Sequence, residues 1–127
     1  MEKEYVLSVA NTLFSQLFWS ITKNVFFSWG VSKKIATVYE EMPTLAMKVS
    51  GAIHKGWVYA SYNEGNDQYE IRLLNDKLEV IGEKHDCFCN NVGELIDSLI
   101  ERPGEMSTDD YYKMAMADSF KKFAEKA

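Results

Sequence analysis

Four side chains in the sequence could ligate a metal: His54, and the trio His85-x-Cys87-x-Cys89. Zinc takes thiolate and imidazole, and alternate positions on a strand aim three of these groups the same way. Structural zinc sites, however, use a Cys-x-x-Cys turn so that two sulfurs converge on one ion, and this spacing does not. No metal or cofactor is expected, and the cysteines read as reduced, partly buried thiols at a strand end. A nucleophilic site would need Cys87 or a serine beside a histidine and an orienting carboxylate. Asp86 is adjacent in sequence, but neighbours on a strand point to opposite faces. The expectation is a protein that is not an enzyme, with a small enzyme as the weaker alternative.

Aromatic side chains offer a second chemistry. Trp57, Tyr59 and Tyr69 on a sheet could stack on unpaired bases, which makes single-stranded nucleic-acid binding an alternative function. The net charge of −5 over 127 residues argues against it, because phosphate binders work by neutralising charge. Only Lys33-Lys34 and Lys121-Lys122 stand as adjacent basic pairs, and both read as solvated surface. Gly51 and Gly56 lack the context of a phosphate loop.

The elements that must position these groups fit one domain, residues 1–127, with 105–127 as a terminal helix that is partly independent. Hydrophobic residues at 46% and charged residues at 26% are ordinary for a soluble chain. Two cysteines one residue apart on a strand are poorly placed for a disulfide, which points to the reducing cytoplasm. Tyr5 to Thr22 carries no charge. A start at Glu2-Lys3-Glu4 with no small-residue cleavage site argues against a signal peptide, and Ser8, Asn11, Thr12, Ser15 and Gln16 argue against a membrane span.

Residues 4–22 fit a long amphipathic helix with Val6, Val9, Ala10, Leu13 and Leu17 on its apolar arc. Trp19 falls in the polar arc, so it is expected to be exposed, either covering a sheet edge or meeting a partner. Val25 to Gly30 reads as a strand with Val25, Phe27 and Trp29 on one side. Residues 32–42 fit helix or strand equally, ending at Pro43. Leu45 to Val49 is a short strand.

Gly56 to Leu74 spells a β-hairpin. A three-residue loop, Asn63-Glu64-Gly65, pairs Tyr59 with Tyr69 and Trp57 with Ile71. Trp57, Tyr59, Tyr69, Ile71 and Leu73 then share the core face. The next turn, Asn75-Asp76, pairs Ile71 with Val80 and Arg72 with Glu79. Val58, Ala60, Tyr62 and Ile81 are left on the other face, which is too apolar to be solvated.

A short helix starts at Asn90 or Asn91, with Val92, Leu95, Ile96, Leu99 and Ile100 as its stripe and Asn91 and Glu94 in capping-box spacing. A last helix opens at Ser107, with the narrow stripe Tyr112, Met116, Phe120 and Phe123. Several segments resemble small uncharacterised proteins of gut anaerobic bacteria and their mobile elements: Phe26-Phe-Ser-Trp-Gly-Val-Ser32, Met42-Pro-Thr-Leu-Ala-Met-Lys-Val-Ser-Gly51, His54-Lys-Gly-Trp-Val-Tyr59 and Asn63-Glu-Gly65. The likeness continues through Asp97-Ser-Leu-Ile-Glu-Arg102 and Met116-Ala-Asp-Ser119. It implies a bacterial origin and supplies no site residue.

The expected fold is α+β: a long N-terminal helix, an antiparallel meander of four to five strands, and two C-terminal helices. The expected function is a small cytoplasmic protein-interaction or oligomerisation module, as a homodimer or with a protein partner. Candidate contacts are Trp19, Val58, Tyr62, Tyr112, Met116, Phe120 and Phe123. Neither a membrane nor a nucleic acid is an expected partner.

Overall fold

A computed structural model of the chain describes residues 1–101. Helices α1 (Lys3–Leu17) and α2 (Lys23–Ser28) lead into strands β1 (Lys33–Tyr39), β2 (Met42–Ser50), β3 (Lys55–Asn63), β4 (Gln68–Leu74) and β5 (Val80–Cys87). Helix α3 (Val92–Ile100) follows. The strands pair antiparallel in chain order, so among the described residues β1 and β5 are the edges of the sheet. The architecture is α+β, as the sequence implies. The helix expected from Ser107, with Tyr112, Met116, Phe120 and Phe123, lies outside the described residues, as does the segment 105–127. No helix among the described residues is long and apolar enough to cross a membrane.

Helix α1 buries Val6, Ala10, Leu13 and Leu17, a stripe at helical spacing, while Leu7 stays half exposed. Ala10, Leu13 and Leu17 of that stripe meet Leu45, Met47, Val58, Ala60 and Ile71 of the sheet and Val92, Ile96 and Ile100 of α3 in one core cluster. The start of α3 is capped, but not by the expected box. The Asn91 side chain accepts from the Phe88 amide, and Ser20, in the turn after α1, accepts the Glu94 amide at 2.9 Å. Gly93 makes this approach feasible, since a Cβ there would lie 2.2 Å from the Leu17 carbonyl oxygen. The far end of α3 is closed by the β2–β3 loop, where the Ile53 amide donates to the Ile100 carbonyl at 2.8 Å.

Residues 23–28 form a helix, not the expected strand. The run of β-formers Val25-Phe26-Phe27 suggests a strand by propensity, but Thr22 caps the segment by accepting the Val25 amide. Helical spacing then buries Val25 and Trp29 together, turns Phe27 to solvent, and sets Phe26 edge-on against Phe14, Phe18 and Trp29. Residues 33–39 resolve as a strand, and the chain turns at Glu40-Glu41 before Pro43. Both glutamates take positive φ, 48° and 65°, the geometry of a tight hairpin turn that asparagine and glycine usually occupy.

Both expected hairpin registers are corrected. In β3–β4 the last pair is Asn63 with Gln68, so Tyr59 faces Arg72 and Trp57 faces Leu74. The loop has four residues because asparagines close it twice. Asn63 accepts the Gly65 amide and Asn66 accepts the Gln68 amide, while Asp67, at φ 54°, takes the left-handed position expected of Gly65. An odd shift reverses which side chains share a face. Val58, Ala60 and Tyr62 therefore join Tyr69, Ile71 and Leu73 beneath the helices, and Trp57 and Tyr59 move to the opposite face.

Between β4 and β5, Asn75 accepts the amides of both Lys77 and Glu79 and holds a five-residue loop. Leu74 then pairs with Val80 and Leu73 with Ile81. The ladder breaks before Ile71 meets His85, leaving Gly82–Lys84 bulged opposite Arg72.

Candidate functional site

The four candidate metal ligands do not converge. His54 is buried in the β2–β3 loop, where its Nε2 lies 3.1 Å from the Trp57 carbonyl oxygen. His85 sits across from Ile71. Among the described residues no group of three or more His, Cys, Asp or Glu side chains could hold a metal ion. Both cysteines are free. Burial, with a smaller contribution from Asp86, pushes the Cys87 thiol up to about 12, the opposite of an activated nucleophile.

This state of Cys87 has a measurable consequence. A thiol reagent at mildly alkaline pH should modify half-buried Cys89 quickly and Cys87 only after unfolding. Equal rates for both thiols in the folded chain would contradict this. Burial also pushes the Tyr69 hydroxyl up to about 12, and a hydrogen bond to Asp67 does the same for Tyr62. All three groups are neutral in the fold. Their contribution is complete below their ordinary values and is lost as pH rises through those values towards 12. Stability should therefore fall progressively on the alkaline side.

The helices leave the opposite sheet face to a polar and aromatic cluster. Thr44 and Ser61 are fully buried there and share a hydrogen bond of 2.7 Å. Beside them Arg72 donates from Nη2 to Glu70 at 2.7 Å, both side chains being about nine-tenths buried. The Arg72 guanidinium also lies 4.8 Å from the centre of the Tyr39 ring, and Glu40 approaches it at 3.7 Å. Tyr39, Tyr59 and Trp57 continue outward edge to face. Burial raises the Glu70 carboxyl, but hydrogen bonds from Asn63 and Arg72 and the charges of Lys84 and Arg72 outweigh it, so its net position is low.

Besides Arg72, two lysines here have a carboxylate close by. Lys84 meets Glu70 and Asp86, and Lys48 meets Asp76. A cleft of about 550 Å³ opens at the cluster's end, and its rim carries Glu40, Glu41, Glu64 and Glu70 against Arg72 and Lys84. Such a rim repels phosphate, and it presents neither a nucleophile nor a histidine. A second cleft of about 430 Å³, beside α1, is lined by Gln16, Tyr62, Tyr69, Phe88 and Cys89. Gln16 accepts the Tyr69 hydroxyl there.

The two sheet edges differ. Strand β5 is interrupted by its bulge at Gly82, φ 74°, and carries Glu83, Lys84 and Asp86, devices that prevent edge-to-edge pairing. Strand β1 pairs with β2 without a break from Lys33 to Tyr39. After Lys33 and Lys34 it is uncharged through Tyr39, and Ile35 and Val38 are nearly half exposed. Its outward amides and carbonyls meet no strand among the described residues.

Of the expected contacts, Trp19 is 62% exposed. Val58 is fully buried in the core, and Tyr62 is half-buried on the helix-covered face with its hydroxyl on Asp67. Val58 therefore cannot touch a partner in this fold. The apolar face that suggested a partner is covered by the chain's own helices. Compared with family models, curated proteins and solved structures, the chain finds no match. Function must be argued from the geometry.

Proposed function

We propose that this chain is a non-enzymatic protein-interaction module that accepts an extended strand at the β1 edge of its sheet. The observation that carries the reading is the contrast between the edges: past the exposed Val80 and Ile81, β5 is bulged and charged, whereas β1 runs regular from end to end and is apolar at its centre. An edge of that kind presents a row of backbone donors and acceptors to an incoming strand, and alternating side chains supply specificity. The free thiols fit a reducing compartment, and the cytoplasm is the location we assign.

The outer-face aromatics Trp57 and Tyr59 revive base stacking as a second reading. The carboxylates beside Lys48, Arg72 and Lys84 on that face and the acidic cleft next to it favour a protein partner instead. The test is selection of extended peptides from a displayed library against the full chain. Selected peptides should bind the wild type and lose at least about tenfold in affinity when Ile35 and Val38 are both changed to Lys, while Trp19→Ala leaves binding intact. Peptides that need Trp19 and ignore the charged edge would overturn the proposal.

A further inference from the structure

We infer that the strand received at β1 is β1 of a second copy, paired antiparallel about a two-fold axis through Thr37. The inference rests on the reading of β1 as the docking edge and names its occupant. The strand begins with Lys33-Lys34 and is followed at its far end by Glu40-Glu41. Antiparallel pairing of two copies brings the basic start of each beside the acidic end of the other. Parallel pairing would set lysines against lysines and glutamates against glutamates.

The register follows from which side chains share a face. Pairing with β2 places Ile35, Thr37 and Tyr39 on the outer face and Lys34, Ala36 and Val38 on the helix face. Directly opposed residues of an antiparallel pair must lie on the same face. With Thr37 on the axis, Ala36 meets Val38 on the helix face and Ile35 meets Tyr39 on the outer face. The same count brings the Lys33-Lys34 end of each copy alongside the Glu40-Glu41 turn of the other, with Lys34 on the helix face and the Glu40 carboxylate turned towards Arg72 on the outer face. The apolar side chains are matched and the charges are opposite.

The turn supports this use of its glutamates. Both residues hold a backbone conformation that costs an L residue with a Cβ, and Glu40 remains 64% exposed despite its approach to Arg72. Lys34, by contrast, is seated over the Phe14 ring at 3.7 Å. Two such five-stranded copies would form one continuous sheet, its β5 edges protected at both ends.

The test is sedimentation equilibrium of the full chain with two charge-reversed variants, K33E/K34E and E40K/E41K, each checked for folding by its circular dichroism melt. The wild type should be a dimer. Each variant alone should weaken the dimer by more than about tenfold, because like charges then face each other at both ends. An equimolar mixture of the two variants should recover it, since the acidic start and end of one copy then lie beside the basic end and start of the other. A wild type that stays monomeric at millimolar concentration overturns the second copy as occupant, while peptide binding at β1 would still uphold the docking edge. A dimer unaffected by either variant, and equally unaffected by charging Ile35 and Val38, forms through another surface and overturns β1 as the seam between copies.

Discussion

Arg72→Ala should destabilise the fold by about 3 kcal/mol at neutral pH, because it strands the Glu70 carboxylate in a nearly closed site. Coulomb attraction at 2.7 Å offsets the cost of burying both charges only while both are present. Asn63, donating at 2.8 Å, and Lys84 stay with Glu70 after the change, which holds the loss near the low end of the range for broken buried pairs. The loss should shrink as pH falls. In the wild type the Glu70 carboxyl sits below its ordinary value, so its contribution is full above that value and disappears as pH drops through the lower, folded one. Without Arg72 only Asn63 and Lys84 still oppose the effect of burial, so the group shifts upward and acid discharges it sooner. Denaturant unfolding of both proteins at neutral pH and near pH 3 reads this directly. A gap that stays constant across that span would show that Arg72 acts through packing on Tyr39 and not through Glu70. The double substitution Arg72→Met with Glu70→Leu should recover most of the stability, since apolar residues of similar size avoid the desolvation altogether.

Trp29→Ala should cost about 3–5 kcal/mol, the range for deleting a fully buried large aromatic. Trp29 has no exposed surface and packs edge-on against Phe26. Its indole donates to Asp97 of α3 at 2.8 Å, and its carbonyl accepts the Ser50 amide at 2.8 Å. One residue thus joins α2, the end of β2 and α3. Against a typical total of about 5–15 kcal/mol, the loss leaves a chain close to its unfolding threshold. Trp29→Phe keeps much of the ring volume and removes the donor to Asp97, so it should cost about 1–3 kcal/mol. Equal losses for the two variants would mean that the hydrogen bond, and not the packing, holds α3 in place. Thermal and denaturant melts of both variants decide between these outcomes.

These two residues also show where sequence reading stops. Helix α3 is legible because Val92, Ile96 and Ile100 repeat at helical spacing, and α1 for the same reason. The strands are legible from their β-branched and aromatic runs. Helix α2 is not, because the packing of Phe26 and Trp29 outweighs local propensity, and six residues are too few to show a period. The hairpin registers fail at the turns. Positive φ is costly for a glutamate, yet the chain accepts that conformation at Glu40 and Glu41, and it uses asparagine side chains where glycine is expected. A single odd slip at the β3–β4 turn then exchanges the two faces of β3. The pattern Glu70-x-Arg72 is visible as two opposite charges on one strand face, but only the bulge opposite Arg72 shows how Lys84 joins them. The edge at β1 is hidden because residues 32–42 fit helix and strand equally.

The docking edge is tested most directly by amide hydrogen exchange across β1, with and without a bound strand or a second copy. Pairing at β1 predicts slowed exchange confined to alternate residues between Lys33 and Tyr39, with β5 unchanged. Protection gained along β5 or beside α1, with β1 exchanging as in the free chain, would contradict it.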